Sequence, residues 1–376
     1  MYLMDTRRIN KRIMELLQIR QLNITLGCFL AMPISEEIVF EEADNLEKFT
    51  EEFKQRMAEA NIYYSDDEAL IGSMLYSLLQ EQHALGKIPS SVIDKIIKRS
   101  KVFRTGCFDD NPYLKDVFFD KQEVGRFKLT HSHYEKYELT MYDTVVVTDS
   151  GTEIPNIATF DHRFEFPSIM ENNVTWMSIT PNEIFTMQPH IDKAFGNVLT
   201  LGCGMGYFAY MAALKDNVEK VTIVEKSSEV IELFKEYILP QFKVKEKIEI
   251  IQADAFDFMD NLADGCFDYC FADIWIGNND TIPYLKMKKI CKRFQKMQMS
   301  YWIEEALIET IIGFVFMLII QEFYKNQNIV APELKNIAPE EQYKIDVLKE
   351  ILEDVKITKP EHLDYYMNYN TIIQLL

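Results

Sequence analysis

Residues 198–207 read VLTLGCGMGY, an apolar run that ends in Gly202, Gly204 and Gly206. A short buried strand entering three alternating glycines predicts a tight strand-to-helix turn. Without β-carbons there, a ligand can approach the backbone closely. A glycine-rich turn is sometimes only a sharp connection, so its meaning depends on what surrounds it.

Downstream, short apolar segments alternate with amphipathic ones, the signature of parallel βαβ units. VLTLG, KVTIVE, KIEIIQAD and FDYCFADIW read as four strands, and KMQMSYWI near 296–303 as a fifth. The clearest helix between them is SSEVIELFKEYIL, which puts Val230, Leu233, Phe234, Tyr237 and Ile238 on one face before Pro240 ends it. The predicted fold class is α/β: a Rossmann-like, doubly wound, mainly parallel sheet.

Three acidic positions follow the glycines in this frame. Glu225 ends the second strand about 20 residues beyond the turn, where a carboxylate can accept both hydroxyl hydrogens of a ribose. Asp254 ends the third strand, where its carboxylate or neighbouring amides, that of Ala255 among them, would sit beside an adenine ring. Asp273 ends the fourth, where the reactive end of a ligand and a second substrate should meet. In open α/β sheets ligands bind in the crevice outside the carboxyl ends of the strands, so all these positions point to one site. The glycine spacing then separates adenosine ligands. Dinucleotide-binding turns use GxGxxG, whereas this chain has GxGxG followed by Tyr207, which disfavours NAD.

This combination resembles the class I S-adenosylmethionine-dependent methyltransferases over roughly residues 180–325. Their first motif is an acidic residue, one apolar residue and then GxGxG; here Thr200 stands at the acidic position. The resemblance implies a transferase with S-adenosyl-L-methionine as cofactor. Gly202, Gly204 and Gly206 would line its methionine and ribose, Glu225 would hold the ribose hydroxyls, and Asp254 with Ala255 would contact the adenine. It also implies a role for Asp273 at the reacting end, orienting or deprotonating a nucleophile. Trp275 and Tyr284 are the candidates for packing against a substrate or the sulfonium by cation–π attraction, with capping of the core as the alternative for Trp275. Within the superfamily, the order of motifs over 137–277 is most similar to the spermidine synthase-like proteins. Those carry GGGDGG, where Met205 takes the Asp position here, and an acidic DSTDP-type motif, where this chain has DIWIG. The polyamine carboxylates are mostly missing, although Asp273 remains and Asp280 stands nearby. Methyl transfer to an unidentified, small-molecule substrate is therefore the leading expectation. Aminopropyl transfer and a non-catalytic adenosyl-ligand-binding protein are the alternatives.

The remainder of the chain divides into a helical N-terminal region (1–130), a small β-hairpin unit (131–180), the Rossmann-like core (181–330) and C-terminal helices (331–376). In the first region Leu46, Phe49, Phe53 and Met57 share one face and Leu70, Met74 and Leu78 another, and Ser65 with Glu68 fits a capping box. The second reads YELTMYDTVVV, a DSGT turn and IPNIATFDHRFEF, with Phe160, Phe164 and Phe166 alternating with polar residues. Thr180, Pro181 and Glu183 then look like the cap, first position and closing carboxylate of the helix that leads into the core.

Composition bounds the partners. Of 376 residues 48% are hydrophobic and 26% charged, the balance of a protein with a substantial core, and a formal net charge of -19 argues against nucleic acid and anionic membrane surfaces. The basic clusters at Lys98, Arg99, Lys101 and Arg104 and at Lys286, Lys288, Lys289, Lys292 and Arg293 read as solvated helix faces. Six cysteines without a CxxC pair and a start without an apolar signal core predict a reducing, cytoplasmic setting. The apolar run IIGFVFMLII at 311–320 is about half of the ~20 residues needed to span a bilayer and reads as a buried helix. That helix and the hairpin are each able to support a homodimer. His131, His133, Asp161 and His162 can be assembled into a metal site on paper, but no metal is expected. Cys203 is expected to offer its backbone rather than a nucleophile.

Overall fold

The computed structural model describes residues 1–35, 43–84, 86–327 and 339–376. The predicted strands form one five-stranded sheet, labelled here β1 (Gly196–Leu201), β2 (Val218–Glu225), β3 (Ile248–Gln252), β4 (Tyr269–Ala272) and β5 (Gln298–Tyr301). All neighbours are parallel and the order is β3-β2-β1-β4-β5. The chain runs outward from β1 through β2 to β3, then returns to place β4 on the other side of β1. That reversal puts a crevice between the carboxyl ends of β1 and β4. Val198, Leu199 and Leu201 of β1 and Tyr269 to Ala272 of β4 are fully buried, as strands covered on both faces require.

The glycine turn is shaped by its neighbours. Gly206 caps the helix Tyr207–Ala213 with φ at 72°, and a β-carbon there would stand 2.2 Å from the Phe234 ring. Tyr113, fully buried, donates its hydroxyl to the Met205 carbonyl at 2.7 Å, and Asn111 Nδ2 donates to the Tyr207 hydroxyl at 2.9 Å. A segment far upstream thus laces the turn in place.

The region before the core differs from its sequence-based division. Between the N-terminal helices and the core, strands start at Lys101–Phe103 and not near 131, and they form two sheets instead of one hairpin. One joins Lys101–Phe103, Glu153–Phe160 and Thr140–Val147, the last two being the expected hairpin. The other joins Gln122–Val124, Phe127–Tyr134, Phe164–Glu171 and Val174–Ser178. Short strands such as Lys101–Phe103 carry too few residues for a period of two to register. An aromatic cluster holds the hairpin to the core: Phe160 stacks on Phe164 at 4.4 Å, and Phe103 and Tyr142 lie 6.1 Å and 5.4 Å from Phe185 on the helix Pro181–Lys193.

Further upstream are the helices Arg7–Ser35, Ala43–Glu59, Asp66–Glu81 and Ser90–Arg99. Ser65 and Glu68 form the expected capping box. Leu46 and Phe53 are buried, whereas Phe49, placed on the same face by periodicity, is 55% exposed. The apolar run at 311–320 proves to be the middle of a 23-residue helix, Glu304–Asn326. That helix is long and apolar enough to cross a membrane, and its Leu307, Ile308, Ile311, Ile312, Val315 and Ile319 are buried in the protein's main core. The C-terminal helices Pro339–Ile351, Pro360–Tyr366 and Tyr369–Leu375 follow, and Lys356–Ile357 pairs in parallel with Tyr2–Leu3, a strand pair too short for the sequence to signal.

The glycine turn yields a stability prediction. Gly206→Ala forces an alanine into the left-handed region against Phe234, and it should lower the free energy of unfolding by about 1–3 kcal/mol. Urea denaturation reads this as a reduced midpoint at unchanged slope; an unaltered midpoint would show that the turn tolerates a side chain.

Candidate functional site

At the carboxyl ends of β1, β2, β3 and β4 lies a cavity of about 390 Å³, within the ~300–1,000 Å³ of small-molecule sites. Gly202, Gly204, Glu225, Asp254, Ala255, Asp273 and Trp275 all line it, so the structure brings nearly every residue expected from the sequence to one place. Among the three glycines Gly206 is the exception. It sits outside the cavity and faces Phe234, because its role is to let the following helix pack.

Gly202 has φ at 97°, and a β-carbon on it would fall 2.1 Å from the carbonyl oxygen of Asp273. The same two strand ends are joined by Asp273 N–H donating to the Leu201 carbonyl at 2.9 Å. Gly204, at φ 50°, would place a β-carbon 2.6 Å from Cε of Met177. Met177 and its neighbour Trp176 belong to the strand Val174–Ser178, so the upstream β unit roofs the site. No motif marks these two residues, which is why sequence reading missed them.

The carboxylates differ in how they are held. Glu225 accepts from Cys203 N–H through Oε2 at 3.1 Å and from Ser227 N–H through Oε1 at 2.8 Å. Each oxygen keeps a lone pair for a further donor, and Glu225 also ties the glycine turn to the end of β2. Asp254 caps the helix Ala255–Asn261, with Oδ1 accepting from Phe256 N–H at 2.9 Å. Asp273 is different: desolvation by burial pushes its carboxyl up to about 7. Glu183 lies in the same cavity, and burial, then the neighbouring Asp273, raise it well above the carboxylate range. Thr180 does cap the helix Pro181–Lys193 by accepting from Glu183 N–H at 3.4 Å. The Glu183 carboxylate, however, lines the cavity, where the expected box would have turned it back to the cap. Two acids that resist ionisation therefore stand together beside the glycine turn.

The aromatic candidates separate. Trp275 is 5% exposed and donates its indole N–H to the Trp302 carbonyl at 3.2 Å, leaving only its ring for the cavity. Trp302 lines the cavity too and donates to Thr186 Oγ1 at 3.0 Å. Tyr284 is fully buried behind Trp275, with its hydroxyl donating to Glu304 at 2.8 Å, so it does not reach the site. Asp280 accepts from Ile276 N–H at 3.3 Å and shapes the loop after β4. Thr200, in the usual acidic position, is buried and donates to the Gly202 carbonyl at 3.4 Å. Cys203 contributes its amide, while burial and then Glu225 raise its thiol far above the range of a nucleophile.

Among the described residues no group of three or more His, Cys, Asp or Glu is placed to hold a metal. His133 meets Glu135 at 2.8 Å, His162 meets Asp161 at 2.7 Å, and His131 stacks on Phe119.

Residues 192–353 match the family model described as a methyltransferase domain. Over this segment, which is less than half of the chain, the sequence is similar to methyltransferase domains. No curated protein matches the chain. Among solved structures, the chain is similar to a spermidine synthase from Thermotoga maritima, at 17% identity and a TM-score of 0.28 over 37% of this chain and 52% of that one. It is also similar to an SAH-bound methyltransferase from Podospora anserina, at 16% identity and a TM-score of 0.26 over 48% of this chain and 64% of that one. A conserved hypothetical protein from Streptococcus pyogenes aligns at 22% identity and a TM-score of 0.23, over 27% of this chain and 60% of that one. The chain thus spans about half the length of the spermidine synthase it matches.

The buried acid gives a pH prediction. Asp273 has a folded pKa raised above its unfolded value, so its contribution to stability is fully present below about 3.8 and is lost as the pH rises through about 7. Relative to Asp273→Asn, the wild-type protein should lose stability from pH 4 to 7 at up to ~1.4 kcal/mol per pH unit, then level off. Parallel denaturation curves across that range would show instead that Asp273 ionises normally.

Proposed function

We propose that this protein is an S-adenosylmethionine-dependent methyltransferase that acts on a small molecule. The observation that carries the reading is the set Glu225, Asp254 and Asp273, at three successive strand ends, around one cavity floored by Gly202 and Gly204.

The residues present fit the cofactor. Gly202 and Gly204 line the cavity with backbone alone, and Glu225 retains acceptor capacity suited to a ribose diol. Asp254 and the amide of Ala255 suit the polar edge of adenine. Glu183 supplies, from the preceding helix, a carboxyl group near the turn where Thr200 lacks one. Bound there, S-adenosylmethionine would supply an electrophilic methyl group on a cationic sulfur. In-line methyl transfer asks mainly for positioning and exclusion of water. Trp176, Met177, Trp275 and Trp302 provide apolar walls for both. Asp273, poised near neutrality, takes the proton released by the acceptor's nucleophile, since a base is most effective when its pKa lies near the working pH.

A small acceptor agrees with the net charge of -19, which is unsuited to polyanions, and with a cavity roofed by the Val174–Ser178 strand. The free state of all six cysteines accords with a reducing, cytoplasmic setting.

Calorimetric titration tests the reading. S-adenosylmethionine and S-adenosylhomocysteine should bind at sub-millimolar concentration and NAD should not. Glu225→Ala should weaken binding at least about tenfold, by loss of charge-assisted hydrogen bonds, without loss of the circular dichroism signal. Preference for decarboxylated S-adenosylmethionine would replace methyl transfer with aminopropyl transfer, and absence of all adenosyl binding would end both readings.

A further inference from the structure

A second cavity, of about 510 Å³, lies between the long helix Glu304–Asn326, the first helix Arg7–Ser35 and the strand Thr140–Val147. It is separate from the cofactor site but shares a wall with it. Asn278 lines this cavity, while Ile276 of the same loop lines the other.

Its charge pattern is unusual. Arg20 enters from the first helix and lies across Gly313, where a β-carbon would stand 3.2 Å from its Nη1, and its guanidinium sits 5.6 Å from the Phe316 ring. Burial lowers its pKa, and the charges of Glu309 and Glu153 partly offset that. Yet among the described residues no carboxylate touches Arg20 and it makes no hydrogen bond. A guanidinium has five donors and stays charged, so leaving it partly buried and unbonded is costly. Around the same space stand Glu153, Glu305 and Glu309. Glu153 is fixed from outside by Asn23 Nδ2 at 3.1 Å, and burial, then Glu153, push Glu309 up to about 7. One cation and three acids are thus held apart around a void, and the half-buried Val145 and Val146 give it an apolar side.

We propose that this cavity is a binding site for a free amino acid with an amine-bearing side chain. The ligand's carboxylate takes the Arg20 fork, its two ammonium groups face Glu153, Glu309 and Glu305, and its alkyl chain lies along Val146. A simple anion would meet three carboxylates, and a simple diamine would leave Arg20 unbonded. A zwitterion carrying one extra positive charge satisfies both signs. The site does not depend on the cofactor reading, because none of these residues lines the cofactor cavity.

Calorimetry on the full chain tests it with three probes of similar length. L-lysine has both features, 1,5-diaminopentane lacks the carboxylate and L-norleucine lacks the second amine. L-lysine should bind at least about tenfold more tightly than either of the others, the size expected from one charge-assisted hydrogen bond. Arg20→Met should remove that advantage over the diamine while S-adenosylhomocysteine binding stays unchanged. Should Arg20→Met fail to fold, Glu309→Gln should reduce the preference for L-lysine over L-norleucine, and the three-probe ranking on the unaltered protein decides alone. No detectable L-lysine binding, a diamine that binds as tightly, or full affinity in Arg20→Met would each overturn the proposal. None of these results bears on adenosyl-ligand binding.

Discussion

The strand ends at Gly202 and Asp273 approach more closely than any side chain permits. A β-carbon at Gly202 would overlap the Asp273 carbonyl at 2.1 Å, while the Asp273 amide is already bonded to Leu201. This contact fixes the seam between β1 and β4, where the strand order reverses. It also aims the Asp273 side chain and the loop after it. Were the two ends to separate by the width of a methyl group, the carboxyl ends of the strands would no longer surround one space, and Glu225 could not hold Cys203 N–H in its present place.

Around that seam the polar groups divide by how well they are satisfied. Glu225 and Asp254 are anchored by backbone amides, a fixed arrangement suited to orienting neutral polar groups. Asp273 and Glu183 line the same cavity, and desolvation by burial raises both above the ordinary carboxylate range. Groups with shifted pKa values gathered in a cleft are a physical mark of function. The network from Trp275 through Trp302 to Thr186 stiffens the wall behind them without spending a polar atom on the cavity.

Much of this was legible in the sequence. The alternation of strands and helices gave the parallel sheet, and the distances from the glycines to Glu225, Asp254 and Asp273 placed three carboxylates at one site, because strand ends in this topology converge whatever the intervening helices contain. What stayed hidden depends on long-range packing. Glu183 looked like a capping carboxylate because local spacing cannot show that its side chain lines the cavity. Tyr284 and Gly206 were read toward a ligand, yet each meets a protein neighbour, Glu304 and Phe234, distant in sequence. Trp176 and Met177 lie on a strand whose pattern carries no chemistry, and Arg20 is one more basic residue on a helix until the fold brings Glu153 and Glu309 around it.

On the proposed function, the cavity at the carboxyl ends of β1, β2, β3 and β4 holds the adenosyl cofactor with its ribose on Glu225. A crystal structure of the protein grown with S-adenosylhomocysteine tests this most directly. Both ribose hydroxyls should lie within hydrogen-bonding distance of the Glu225 carboxylate, with the sulfur directed toward Asp273. An adenosyl group bound elsewhere, or a ribose that leaves Glu225 untouched, would contradict it.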